Sequence, residues 1–351
     1  MSVAFDCDIV PSSALHWRPL RTNATFSLAL ALISVLISAT PALADAETGE
    51  APVTPANWSH AWSWEMGIVL PLVLSAVLYF LGHMRILRRN RRNPAIRPWQ
   101  ALCFWLGWLS LVVALVSPLH ELGEALFSAH MAQHEILMVV AAPLLALSRP
   151  LVTFLFALPF SWRRRIGRWT RSSTVRNTWR FITGALVVWV IQAVTLWTWH
   201  IPAFYQATLN NDGIHALQHT MFLVSALLFW YTLIYGRYGR LGYGLAFIYI
   251  FTTALHTSVL GAVMTLAQTA WYPIYNGRTA PWGLSPLQDQ QLGGLIMWIP
   301  SGIVLVIAGL ALFAGWISEA ERRQSLSPLW QTTSSSLGPP AQATPGALHA
   351  D

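Results

Sequence analysis

Long stretches of this chain are almost free of charged residues, and the stretches recur at intervals. Apolar runs lie near 66–84, 99–117, 130–148, 181–199, 215–235, 243–267 and 292–316. At 1.5 Å per residue each run is long enough for a helix to cross a hydrocarbon core of about 30 Å. The pattern predicts an all-α, polytopic membrane helix bundle with seven transmembrane helices. Residues 151–160 are equally apolar but too short to cross, and arginine-rich sequence follows them. They read as an interfacial segment.

The arginines fix an orientation. Six of them (85, 88, 89, 91, 92, 97) follow the first run, and eight (149, 163, 164, 165, 168, 171, 176, 180) lie between the third and fourth. Arg237 and Arg240 separate the fifth and sixth runs, and Arg322 and Arg323 follow the seventh. The alternate loops, 118–129 and 200–214, have none, and 268–291 has only Arg278. The positive-inside rule then puts the N-terminus outside and the C-terminus in the cytoplasm. That is the expected arrangement for a multi-pass protein of a bacterial inner membrane.

The ends have their own signatures. Arg18 and Arg21, the apolar run Phe26 to Ala39, and the triplet Ala42-Leu43-Ala44 match a signal peptide spanning 1–44. An uncleaved anchor is the alternative, and either puts residue 45 outside. Residues 45–65 form an exterior arm whose Trp58, Trp62 and Trp64 are expected at headgroup level. The membrane domain is expected over 66–320. The cytoplasmic tail, 321–351, is rich in Ser, Pro, Gly and Ala and reads as disordered.

Composition agrees: 55% of residues are hydrophobic, 10% are charged, and 19 are Trp. The net charge of +7 does not point to nucleic acid, because the arginines sit in short loops where they set topology and touch anionic lipid. Cys7 lies in the presequence, which leaves Cys103 alone in the mature chain. Disulfide exchange, c-type haem attachment and a thiolate copper centre are therefore not expected.

Candidate chemistry lies in a doubled pattern, His130-x-x-Gln133-His134 and His215-x-x-Gln218-His219. Each copy opens a predicted span, so its two imidazoles share one helix face. The topology puts both copies at the outer surface, where His200 ends the fourth span. His256 is expected roughly 10 Å below that surface, at about the depth of His134 and His219. Met138 extends the His130–His134 stripe by one turn. Polar groups inside a membrane are costly and commonly mark a functional path. Imidazole with thioether and no exterior thiol suits copper. Asp289 and Gln290, just before the seventh span, are candidates to orient imidazoles from behind. Single histidines such as His60 and His83 read as interfacial.

Together these residues resemble a known family, the multi-span CtaG-type cytochrome c oxidase assembly factors. The resemblance runs from His130-Met-Ala-Gln-His134 through Ala142-Pro-Leu-Leu and Pro150 to Trp199-His200-x-Pro202 and His215-x-x-Gln-His219. It closes with Asp289-Gln-Gln-x-Gly-Gly-x-Ile-Met297-Trp298-x-Pro300. It implies a non-enzymatic role in maturing a haem–copper oxidase, with copper reaching the catalytic subunit and a periplasmic copper chaperone as donor. The ligands expected are His130, His134, His215 and His219, with His200, His256 and Met138 as alternative or transfer ligands. Other classes stay open. Three histidines and a carboxylate (Glu135 or Asp289) also describe a membrane-embedded zinc hydrolase. One histidine from each copy describes a bis-histidine b-type haem protein, and purely structural histidines describe a scaffold.

Overall fold

Every apolar run among the described residues folds as helix, and the helices sort by how deeply they are buried. The computed structural model describes residues 53–89, 96–235 and 243–336, with side chains except at Tyr243 and 322–336. The expected signal peptide 1–44, the first part of the expected exterior arm, Arg91, Arg92, Arg237, Arg240 and residues 337–351 lie outside the described residues. In chain order the helices are α1 (Met66–Arg89), α2 (Pro98–Leu115), α3 (Leu119–Ala125), α4 (Phe127–Glu135), α5 (Ala142–Ser148), α6 (Pro150–Ala157) and α7 (Phe160–Trp169). They continue with α8 (Ser173–Ile182), α9 (Ala185–His200), α10 (Pro202–Thr208), α11 (Asp212–Tyr235), α12 (Tyr243–Thr265) and α13 (Pro286–Ser336). A π-helical segment, Ile136–Ala141, joins α4 to α5. There is no strand among the described residues.

Six helical runs are long and apolar enough to cross a membrane, and a seventh forms if α8 and α9, bent by 58°, count as one span. The bend has a reason. The 16 residues of α9 reach only about 24 Å, and α8 carries Arg176 and Arg180, which stay exposed. The runs Phe127–Ser148 and Asp212–Tyr235 have 56% and 61% of their apolar windows buried, against 17% to 33% for the other four. These two spans form the centre, and they carry the doubled histidine pattern. The surrounding helices turn large apolar side chains outward, among them Leu70, Phe80, Leu102, Phe247 and Val306. An apolar exterior of this kind fits a lipid surround.

Close packing of α12 on α13 depends on two glycines. A Cβ on Gly294 would lie 2.5 Å from Thr265 Oγ1 and 2.8 Å from the Gly261 carbonyl oxygen. Small residues let membrane helices approach this closely, where packing rather than water exclusion holds them.

The π segment has an identifiable cause. Pro143 has no N–H, so the carbonyls one turn before it lose a partner. The indole of Trp230 on α11 donates to the Met138 carbonyl at 2.9 Å and satisfies one of them. The two central spans are thereby latched together. Arg149, at the α5–α6 junction, holds a left-handed backbone (φ 51°). Its guanidinium lies 4.8 Å over the Tyr235 ring. The short α6 does not cross; Arg85 of α1 donates to its last carbonyls, at Phe156 (3.2 Å) and Ala157.

Several segments expected as loops or tail are helical. Residues 118–129 contain α3 and the first turn of α4, separated by an extended Leu126. Residues 200–214 contain α10. The last helix begins at Pro286 and continues through the expected tail boundary to Ser336.

Candidate functional site

The site begins with the two central helices. On α4, His130 and His134 stand one turn apart with ring centroids 4.4 Å apart. On α11, His215 and His219 do the same at 4.3 Å. Packing of the two helices brings the pairs together: His130 lies 5.1 Å from His215 and 5.6 Å from His219, and His134 lies 5.2 Å from His219. One ring nitrogen from each of His130, His215 and His219 falls within 4.8 Å of the others. An ion held at about 2.0–2.1 Å from each nitrogen needs them about 3.3 Å apart, so ring rotation must close the trio.

The glutamine shared by both copies has a physical role that spacing alone did not reveal. Gln218 Oε1 accepts from His130 Nε2 at 3.1 Å, across the helix interface. That bond places the His130 proton on Nε2 and leaves Nδ1 as a lone pair, with no hydrogen-bond partner. Gln133 Nε2 donates to the Ala114 carbonyl at 2.7 Å and to His120 Nδ1 at 2.8 Å. His120 thus presents Nε2–H to Glu65, 3.4 Å away. Each motif glutamine therefore sets the tautomer of a histidine on a different helix.

His120 is the residue the sequence reading missed. It was placed in an exterior loop, but α3 buries it and stacks its ring 5.2 Å from His215. With Glu65 and Glu121 it forms a second group whose ligand atoms lie within 4.8 Å of one another. The only signal was its position two residues after Pro118. His200, at the end of α9, joins from the other side, with its ring 6.4 Å from His134. Its Nδ1 donates to the Leu196 carbonyl at 2.6 Å, which leaves Nε2 without a partner.

Two expected members lie elsewhere. His256 faces Trp189 at 5.5 Å and makes no ring contact with another histidine. Depth along α12 was comparable, but the helix is rotated so that this side chain points away from the cluster. Met138 falls in the π segment, where the wider turn takes it off the His130–His134 stripe and onto a cavity deeper in the bundle.

Asp289 and Gln290 are also corrected: neither bonds an imidazole. Both Asp289 carboxylate oxygens are engaged by α4, accepting from the Phe127 N–H (2.6 Å), the Ser128 N–H (3.1 Å) and the Ser128 hydroxyl (2.5 Å). A helix start has unpaired N–H groups, and α13 supplies the cap that the local sequence of α4 lacks. Gln290 Oε1 accepts from the Trp271 N–H at 2.6 Å. Asp289 thus holds the histidine-bearing helix, and Gln290 the segment after α12, rather than the histidines.

An aromatic layer covers the group. Tyr275 donates to the Gly123 carbonyl at 2.9 Å and meets the Tyr205 hydroxyl at 2.7 Å. Tyr272 donates to the His200 carbonyl at 2.8 Å and stacks on Phe127 at 4.9 Å. Burial pushes all three phenols up, so they stay neutral and serve as donors. At the margin, the bond from His120 holds the Glu65 carboxyl below the usual carboxylate range.

A multi-span helical protein with six clustered, buried imidazoles is the class that fold and site define. The family model described as cytochrome c oxidase caa3 assembly factor (Caa3_CtaG) matches residues 77–319, and the chain belongs to that family. It is also similar to uncharacterized proteins of Mycobacterium bovis and Mycobacterium tuberculosis, each 26% identical over 278 residues. Those matches cover 77% of this chain and 42% of each relative. A Mycobacterium leprae protein, also uncharacterized, is 25% identical over 275 residues, covering 74% of this chain and 40% of its own. The chain thus spans less than half the length of these curated relatives. No solved structure matches it.

Proposed function

We propose that this protein aids assembly of a haem–copper cytochrome c oxidase by holding copper, as cargo, between His130, His215 and His219, with His134 and His200 as the surrounding exchange ligands. The carrying observation is that buried imidazole nitrogens gather from three helices without hydrogen-bond partners: His130 Nδ1, both nitrogens of His134 (one of them a lone pair in the neutral ring), and Nε2 of His200, His215 and His219. Leaving such groups bare in a low-dielectric interior is costly. A cation bound there satisfies several at once. Packed imidazoles favour a small ion over a macrocycle, and full engagement of Asp289 with α4 removes it as a hydrolytic base. Histidines without thiolate suit a carrier that must release its ion.

In this reading the arginine-rich loops face the cytoplasm of a bacterial inner membrane and the histidine end faces outward. There it would receive copper from a periplasmic chaperone and pass it to the oxidase catalytic subunit. The test is gene deletion, followed by measurement of oxidase activity and of copper in the purified oxidase. Complementation with wild type and with H256A is expected to restore both, and complementation with H130A/H219A is expected to fail. Full copper loading in the deletion strain overturns the delivery role; normal complementation by H130A/H219A removes the trio from it.

A further inference from the structure

Toward the centre of the bundle from the imidazoles lies a cavity of ≈ 40 Å³ whose lining includes Glu135, Met138, Gln192, Ser225, Met297 and Ser301. That is room for roughly three waters. Ser225 lies six residues beyond His219 and Gln192 eight before His200, so the cavity sits about 9–12 Å deeper than the histidine layer. Apart from the amide N–H groups of Gln192, its polar groups share one character. The Ser225 and Ser301 hydroxyls donate to the carbonyls of Phe222 and Met297 on their own helices. Their protons are spent, and what they offer the cavity is lone pairs. Glu135 Oε2 and Gln192 Oε1 are buried without a partner. Met138 and Met297, from different helices, add thioether sulfurs.

A buried space lined mostly by acceptors, with a carboxylate and two thioethers, calls for an electron-poor occupant. A carboxylate in an apolar interior is strongly penalised unless a cation pairs with it or a proton neutralises it. Thioether selects soft cations over hard ones. His134 connects the two layers. It precedes Glu135, and its ring lies 4.4 Å from His130 and 4.4 Å from Phe222, which lines the cavity.

We infer that this cavity is a second, inner station for a soft monovalent cation, Cu(I), held by Glu135 and the sulfurs of Met138 and Met297 and exchanged with the imidazole trio through His134. The inference rests on the reading that the chain handles copper, and it adds a site within the membrane. It is tested on the full chain in detergent under anaerobic conditions, by titration with Cu(I) against a chromophoric chelator and by X-ray absorption at the copper edge. The M138L/M297L variant, nearly volume-conserving, is expected to lose one equivalent of Cu(I) together with all sulfur scattering, with its melting unchanged. The H130A/H215A/H219A variant is expected to keep the sulfur-bearing equivalent. E135Q is expected to weaken that equivalent and spare the nitrogen-bound one. Copper in wild type surrounded only by nitrogen, with full stoichiometry in M138L/M297L, overturns the inner station and leaves the trio standing. Wild type that takes up no Cu(I) overturns both.

Discussion

Replacing Gln218 with Leu tests whether the glutamine of the repeated pattern sets the chemistry of the site. Gln218 and His130 are both fully buried, and their 3.1 Å bond is the one that assigns the His130 proton to Nε2. Leu fills much of the space but accepts nothing. His130 then either leaves a buried N–H unpaired, at a cost of roughly 1–3 kcal/mol, or moves its proton to Nδ1. The second outcome protonates the one free lone pair of His130 and removes it as a ligand. Loss of an orienting partner typically lowers metal affinity 10–100-fold, about 1.4–2.7 kcal/mol. Cu(I) competition titration of wild type, Q218L and Q218E reads this directly. Q218E retains an acceptor for Nε2–H and is expected to bind within a few-fold of wild type. Equal affinity in wild type and a stably folded Q218L would refute the tautomer argument.

Other outcomes follow from the supports of the site. Asp289→Ala strips the cap from α4 and is expected to destabilise by about 1–2 kcal/mol or more, seen as a lower Tm in detergent, with Ser128→Ala milder. Trp230→Phe leaves the Met138 carbonyl unpaired and is expected to cost about 1–3 kcal/mol. Adding Pro143→Ala restores an N–H to that stretch and should recover part of the loss, whereas simple additivity of the two destabilisations would discount the latch. The Glu65 carboxyl is held below its ordinary value of 4.5 by the bond from His120. Its contribution is therefore complete above pH 4.5 and fades as pH falls through the depressed folded value. The Tm difference between wild type and E65Q should shrink over that acid range, and a gap that widened on acidification would reverse the assignment.

The helical elements were largely legible because their determinants are local. A charge-free run of sufficient length can satisfy its backbone in lipid only as helix, and the spacing of the arginines separates one run from the next. Even so, α3 and α10 were read as loops, because short amphipathic segments at a helix end lack the length that marks a span. The histidines were legible in pairs. An i, i+4 spacing puts His130 with His134, and His215 with His219, on common faces whatever the rest of the fold does.

The partners of those pairs were decided by packing. Rotation about a helix axis is not encoded where a helix is apolar on every side, so nothing in the α12 sequence told that His256 would turn to Trp189 while His200 turned inward. Met138 left the stripe because Pro143 and Trp230, the latter 92 residues away, together settle a π segment there. His120 entered the site because Leu126 breaks the chain between α3 and α4 and folds one against the other. Asp289 spent its charge on the start of α4, a partner more than 160 residues distant. The sequence by itself thus determined the long apolar helices, where the chain can cross a membrane and which imidazoles share a face. Only the tertiary structure decided which faces meet, because contact depends on helix rotation, close approach and distant caps, and these are properties of pairs of helices rather than of any one run.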